Sequence, residues 1–498
     1  MHDRGTTDAA TLRAGLSHPV IDADGHQIEF IPLIRDLLAA EAGEAVAGRF
    51  EAGVSHAAMK QLTDPAVRRA NGISRSGWWG LPARNTLDRA TAMLPELLHG
   101  RLDELGIDLA ILYPTVGLMP MALDDDELRR GLARACNRYN AESYAPYDDR
   151  LIPVGVIPTY TPEEALTELE YATSELGLRA FLFGGLVRRP IPGHEDVRSA
   201  RWVDGLGLDS VYDYDPLWQR CDELGISPTF HSTGIGFGSR VSPTNYVANH
   251  IGNFAAGNEA ICRSLFFGGV PRRFPNLRFA FLEGGSAWAC TLFADILGHF
   301  EKRNADALAH YDPANLDRDL LRELFVEHGS AAFTERIDRL DASTRFLSDP
   351  GDRPEVLDEF AQAGITSAAD VVEVFARQFH FGCEADDPTN SFAFDARVNP
   401  FGTRLRAMFA SDIGHWDVPD FRGVLGEAWE LVDDGLLDRA EFEAFTFSNV
   451  VSLFGSTNPQ FFEGTTVAAA ARAELAATAG HPLPAGRNLS ATDDTRLS

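Results

Sequence analysis

The stretch "LIPVGVIPTYTPEEALTELEYATSELGLRAFLFGG", residues 151–185, decides the fold. Its two ends, 151–158 and 178–185, are short continuous apolar runs. Strands buried on both faces read this way, whereas half-exposed strands alternate. Between them, residues 161–176 open with Thr161, Pro162 and Glu164, which suit a helix N-terminus. Strand, helix and strand in succession predict a βαβ unit and a parallel sheet.

Six further runs extend the pattern outward: 19–26, 109–115, 227–233, 277–285, 379–387 and 406–416. Helical patterns lie between several of them. Residues 124–145 begin with four acids, favourable at the positive end of a helix, and 215–225 finish at Gly225, a C-cap residue. Eight strand–helix units predict an α/β protein built as a (β/α)8 TIM barrel. A doubly wound open sheet is the rival, but no G-x-G-x-x-G follows the first run. The expected organisation is an N-terminal extension over 1–18 and a barrel over 19–464. Helical insertions are expected after strands 1 and 6, at about 31–92 and 303–375, as cap or oligomer elements. A surface helix and disordered tail are expected over 465–498.

The chain has 44 basic against 73 acidic residues and a formal net charge of -29. Phosphate binding needs clustered Lys and Arg, so nucleic acid and anionic membranes are unfavourable partners. A small-molecule substrate suits the composition better. The five cysteines are scattered and form no CxxC pair, which argues against a disulfide framework or a thiolate zinc site. No signal-peptide apolar region or run of transmembrane length appears, so the expected location is cytoplasmic.

Barrel active sites form at the C-terminal ends of the strands. The first run ends in "DADGH", with Asp22, Asp24 and His26 at alternate positions; the fifth ends in His231, the sixth in Glu283 and the eighth in Asp412. Side chains at i and i+2 of a strand share a face, so Asp24 and His26 reach one point at the barrel mouth. His231 and Asp412 end other strands at the same level. Converging imidazoles and carboxylates form a site for a divalent cation such as Zn, Mn or Fe. Asp22 sits deeper and reads as a structural or supporting acid.

These motifs resemble a known family. "DADGH", "FHSTG" after the fifth strand, "FPNLRFAFLEGGSAWA" (274–289) and "FASDIGHWD" (409–417) are similar to the amidohydrolase-related metal-dependent hydrolases. This branch of the amidohydrolase superfamily includes the aminocarboxymuconate-semialdehyde and resorcylate decarboxylases. The resemblance covers roughly 18–464. It implies a TIM barrel, metal ligation by Asp24, His26, His231 and Asp412, and a homo-oligomer. It also implies an enzyme, read first as a metal-dependent hydrolase using activated water. The alternative is a nonoxidative decarboxylase, a carboxy-lyase acting on a carboxylated aromatic or enoic acid. Two departures bear on the chemistry. The fourth run has no Lys to bridge two metals, which favours one. Glu283 opens an "EGG" turn where the decarboxylases carry a His, which leaves it as a fifth ligand, a ligand orienter or a general base. Asp412, with Glu283, is the expected catalytic acid or base.

Further candidates are less distinctive. His415, Trp288 and Arg240 are expected near substrate, and Trp78, Trp79 and Phe237 as possible pocket aromatics. Arg188 and Arg189 read as loop charges that are solvated or bind a carboxylate. His250 and His299 read as structural, Cys383 as a small buried hydrophobe, and Asn449 as packing for a late helix.

Overall fold

The computed structural model describes residues 8–55, 64–75, 80–197, 200–231, 240–345 and 357–478. Trp78, Trp79, Phe237 and the chain beyond 478 lie outside the described residues. Among the described residues there are ten strands: β1 (Ile21–Gln27), β2 (Leu109–Pro114), β3 (Leu151–Ile157), β4 (Ala180–Phe183), β5 (Val187–Pro190), β6 (Arg201–Asp204), β7 (Pro228–Phe230), β8 (Phe279–Phe281), β9 (Phe379–Glu384) and β10 (Arg406–Ala410). Eight form one sheet in the order β1-β2-β3-β4-β7-β8-β9-β10, each neighbouring pair parallel. The two outer members meet just past β10. There the His26 N–H donates to the Ile413 carbonyl at 3.0 Å, and the Asp412 N–H donates to the Asp24 carbonyl at 3.2 Å. The result is a nearly closed barrel surrounded by helices.

Alternation along the strands sorts side chains into two apolar sets. Ile21, Ala23, Ile111, Tyr113, Ile152, Val154, Leu182, Ala280, Leu282 and Met408 pack together in one. Their neighbours Ala110, Leu112, Phe181, Phe183, Phe279, Phe281, Phe379 and Phe381 pack outward with the helices. The βαβ unit that opened the reading is present. Its helix, Pro162–Ser174, is capped by Thr161, whose Oγ1 accepts the Glu164 N–H at 3.2 Å. The helix Asp126–Tyr144 is capped by Asp125, and Asp215–Leu224 stops at Gly225, which takes φ +68°. Trp218 on that last helix is fully buried against Phe183, Tyr214 and Phe279. Truncating a buried Trp removes apolar contact and leaves a cavity. Trp218→Ala is therefore expected to lower stability by about 3–5 kcal/mol, read as a shift of the urea midpoint.

The antiparallel hairpin β5–β6 after β4 had no counterpart in the apolar runs, because its strands are polar and half-exposed. It changes the reading of Arg189. The residue is buried, pairs with Asp204 at 2.9 Å and donates to the Tyr214 hydroxyl at 2.9 Å, so it is neither solvated nor at the site. Asn449 donates to the Ala407 carbonyl at 2.7 Å, tying its helix to β10. Cys383 is fully buried. His299 is exposed on the helix Ala287–Arg303. No described helix is long and apolar enough to cross a membrane.

Candidate metal centre

The site begins with a local irregularity in β1. Its register against β2 runs Ile21↔Leu109 and Asp22↔Ala110, then jumps to Gly25↔Leu112, so β1 carries one extra residue there. A bulge of this kind re-aims side chains. Asp22 is turned into the seam between β1 and β10. Its Oδ1 accepts the Asp24 N–H at 3.2 Å and the Ser411 N–H at 2.9 Å, and its Oδ2 accepts the Ser411 hydroxyl. Glycine is needed at 25 because a Cβ there would lie 2.5 Å from Asp22 Oδ2. The carboxylate of Asp22 thus holds the seam, while Asp24 and His26 point to the barrel mouth.

Side chains from four strand ends meet there. His26 Nε2 lies 3.4 Å from Asp24 Oδ1 and 4.0 Å from Asp412 Oδ1. His231, immediately past β7, places Nε2 3.6 Å from Asp24 Oδ2 and 3.1 Å from Glu283 Oε2. The other Glu283 oxygen, Oε1, is 3.5 Å from His415 Nδ1, which in turn is 4.0 Å from Asp412 Oδ1. The His26 and His415 rings lie 3.6 Å apart, centroid to centroid. Asp24, His26 and His231 offer ligand atoms within 4.8 Å of one another, and so do His26, Glu283 and His415. Glu283 and Asp412 both have left-handed backbones, with φ of +56° and +48°. Such conformations cost non-glycine residues of order 1–3 kcal/mol and cluster at functional sites.

The electrostatics suit a cation. All six side chains are buried. Burial, then the neighbouring Asp22, pushes the Asp24 carboxyl far above its usual range. Burial, then Glu283 and Asp24, does the same to Asp412. Burial pulls the imidazoles down, His231 to about 3, and His26 and His415 well below their usual value. Neutral imidazoles do not balance buried carboxylates. Both Asp24 oxygens, both His26 nitrogens and Asp412 Oδ1 are buried with no hydrogen-bond partner among the described residues. Orphaned buried polar atoms are costly, and mixed imidazole and carboxylate donors suit a divalent ion. The residues fit such a cation.

Beside this cluster is a cavity of about 230 Å³ lined by His250, Phe254, Glu283, Gly284, Glu384 and Asp387, among others. His250 is thus a pocket residue, although its helical setting had suggested a structural one. Its ring packs on Tyr246 at 5.3 Å and on Trp416 at 5.4 Å. No spacing in the sequence marked these three as neighbours, since the loop after β10 brings Trp416 to them. Trp288 packs at 5.9 Å and 5.4 Å on Phe281 and Phe381, on the helix side of the strands. Arg240 donates from Nε to the Ile251 carbonyl at 3.0 Å.

Comparison with known proteins places this geometry. A profile of the family described as Amidohydrolase matches residues 47–331, more than half of the chain. The matched segment holds His231 and Glu283, while Asp24, His26 and Asp412 lie outside it. A 2-amino-3-carboxymuconate-6-semialdehyde decarboxylase of Dictyostelium discoideum is 26% identical over 196 residues, covering 39% of this chain and 48% of the relative. The aligned stretch spans about half the length of that curated protein. Among solved structures, an amidohydrolase from Mycobacterium avium subsp. paratuberculosis K-10 superposes with a TM-score of 0.50 at 15% identity, covering 89% of this chain and 100% of that one. A 5-carboxyvanillate decarboxylase from Sphingomonas paucimobilis gives 0.46 at 14% identity, covering 88% and 99%. The eight parallel strands and the family match agree: the chain belongs to the amidohydrolase family.

Proposed function

We propose that this protein is a metal-dependent carboxy-lyase that removes CO2 without oxidation from a carboxylated aromatic or enoic acid. The observation that carries the metal is the set of orphaned ligand atoms on Asp24, His26 and Asp412 at the barrel mouth. With His231 they would hold one divalent cation, Zn first, with Mn or Fe as alternatives. The choice of reaction is supported by the curated relative, whose name is that of a decarboxylase.

When bound, the cation supplies Lewis acidity that stabilises negative charge on the substrate as the C–C bond breaks. The protein's own groups do the rest. Asp24 and His26, with no exposed surface, keep the reacting end away from bulk water. Asp412, facing His26 and His415, carries the proton that replaces CO2 on carbon. Glu384 and Asp387 line the cavity beyond, where the rest of the substrate sits.

One observation favours a second reading, hydrolysis by activated water. Glu283 stands where the decarboxylases carry an imidazole, and a Glu283–Asp412 pair suits proton removal from water. A panel of carboxylated aromatic and enoic acids separates the two. We expect one CO2 per substrate consumed and one solvent deuteron at the carbon that lost it. Turnover of esters or amides with no CO2 from any acid would sink the lyase reading in favour of the hydrolase.

A further inference from the structure

At the N-terminal end of the barrel, opposite the metal centre, three neighbouring strands bring basic side chains to one face. The register pairs Ala280 with His380 and His380 with Arg406. Residues i and i+2 of a strand share a face, so Arg278, just ahead of β8, joins them. Ala280 and Met408 continue that face into the apolar barrel interior, where Val450 and Leu453 of the helix Asn449–Gly455 also pack. Ser452 of the same helix places Oγ 3.3 Å from His380 Nε2. We propose that this end of the barrel binds a small phosphate-type oxyanion, gripped by the guanidinium groups of Arg278 and Arg406.

The hydrogen bonds of the two arginines define the site. Arg278 donates from Nη1 to the carbonyls of Pro275, Asn276 and Leu277, at 3.1, 2.9 and 2.9 Å. Arg406 donates from Nε to the Ala376 carbonyl at 2.8 Å. These bonds anchor each side chain. They leave Nε and Nη2 of Arg278 and both Nη groups of Arg406 with no acceptor among the described residues. Neither guanidinium forms an ion pair there, although the chain has 73 acidic residues. The buried Arg101 and Arg129, by contrast, pair with Asp88 and Glu164 at 2.8 and 2.7 Å. Both Arg278 and Arg406 are half-buried, and their charges are left uncompensated. Burial, then Arg377 and Arg406, draws Arg278 down to about 10, and burial, then Arg377, does the same to Arg406. Glu373 and Asp222 near Arg278, and Glu474 near Arg406, offset this only in part. Both groups stay cationic at neutral pH, so an anion between them relieves their repulsion. Two guanidinium forks can engage more than two acceptor oxygens, which a tetrahedral oxyanion supplies and a carboxylate does not.

Thermal unfolding of the full-length protein, with its metal content as purified, tests this while sodium phosphate replaces sodium chloride at constant ionic strength. We expect the melting temperature to rise saturably with phosphate. Arg278→Gln and Arg406→Gln should each weaken the apparent affinity roughly tenfold or more, because each removes charge-assisted bonds. His231→Ala should keep the response, since the metal centre lies at the other end of the strands. Methyl phosphate as a second titrant separates the sources. A response to both supports a site for the phosphate group of an ester, and a response to phosphate alone supports one for the free ion. A response kept in both arginine variants and lost in His231→Ala puts the anion on the metal and overturns the site. No saturable response in the wild type also overturns it and leaves the carboxy-lyase reading untouched. Should a variant fail to fold, a phosphate-soaked crystal of the wild type decides by the presence or absence of density between the two arginines.

Discussion

Asp412→Asn is expected to lose about 10²- to 10⁴-fold in kcat, the usual contribution of a positioned proton carrier. The substitution keeps the size and shape of the side chain but removes the ionisable carboxyl. The loss should appear in kcat more than in KM, because the group acts at the reacting carbon. The fold should survive. Asp412 is buried against Glu283 and Asp24, and these like charges, after burial itself, are what drive its carboxyl upward. Replacing it with a neutral amide relieves that repulsion. The metal-free variant should therefore melt at the same temperature as the metal-free wild type or higher, a trade of stability for function common at active sites. Turnover within tenfold of wild type would show that another group carries the proton.

The second large effect concerns the metal itself. Asp24→Ala and His231→Ala each remove one donor from the group formed with His26. Loss of groups that merely orient a ligand costs 10–100-fold in affinity, and loss of a ligand should exceed about 100-fold. Both variants should emerge from purification with no bound cation and no activity at micromolar metal. His299→Ala is the control, since His299 lies exposed on the helix Ala287–Arg303. Full metal content in Asp24→Ala or His231→Ala would move the cation elsewhere.

Much of the architecture was legible from local chemistry. A strand buried on both faces has to be apolar throughout, so residues 109–114, 151–157 and 180–183 stand out wherever the chain is read. Helix ends announce themselves because their orphan N–H groups need a nearby acceptor, as Thr161 and Asp125 provide. The polar hairpin β5–β6 was not legible, because Arg189 and Asp204 look like loop charges until each is seen to neutralise the other. His250 was equally silent. A histidine ending a short helix has no periodic signature, and only the approach of Trp416 gives it a place in the pocket wall.

The stretch "DADGH" shows where the division falls. The sequence by itself determined that this strand ends in carboxylates and an imidazole at a barrel mouth, because strand periodicity and the position of barrel loops are local rules. It also brought the family into view through the order of its motifs. Only the tertiary structure decided where each group sits. The extra residue between Asp22 and Gly25 turned Asp22 into the seam with Ser411 and left Asp24 and His26 facing His231. It likewise set the two oxygens of Glu283 between two imidazoles. Register and loop closure depend on contacts between residues hundreds of positions apart, and no local rule encodes them.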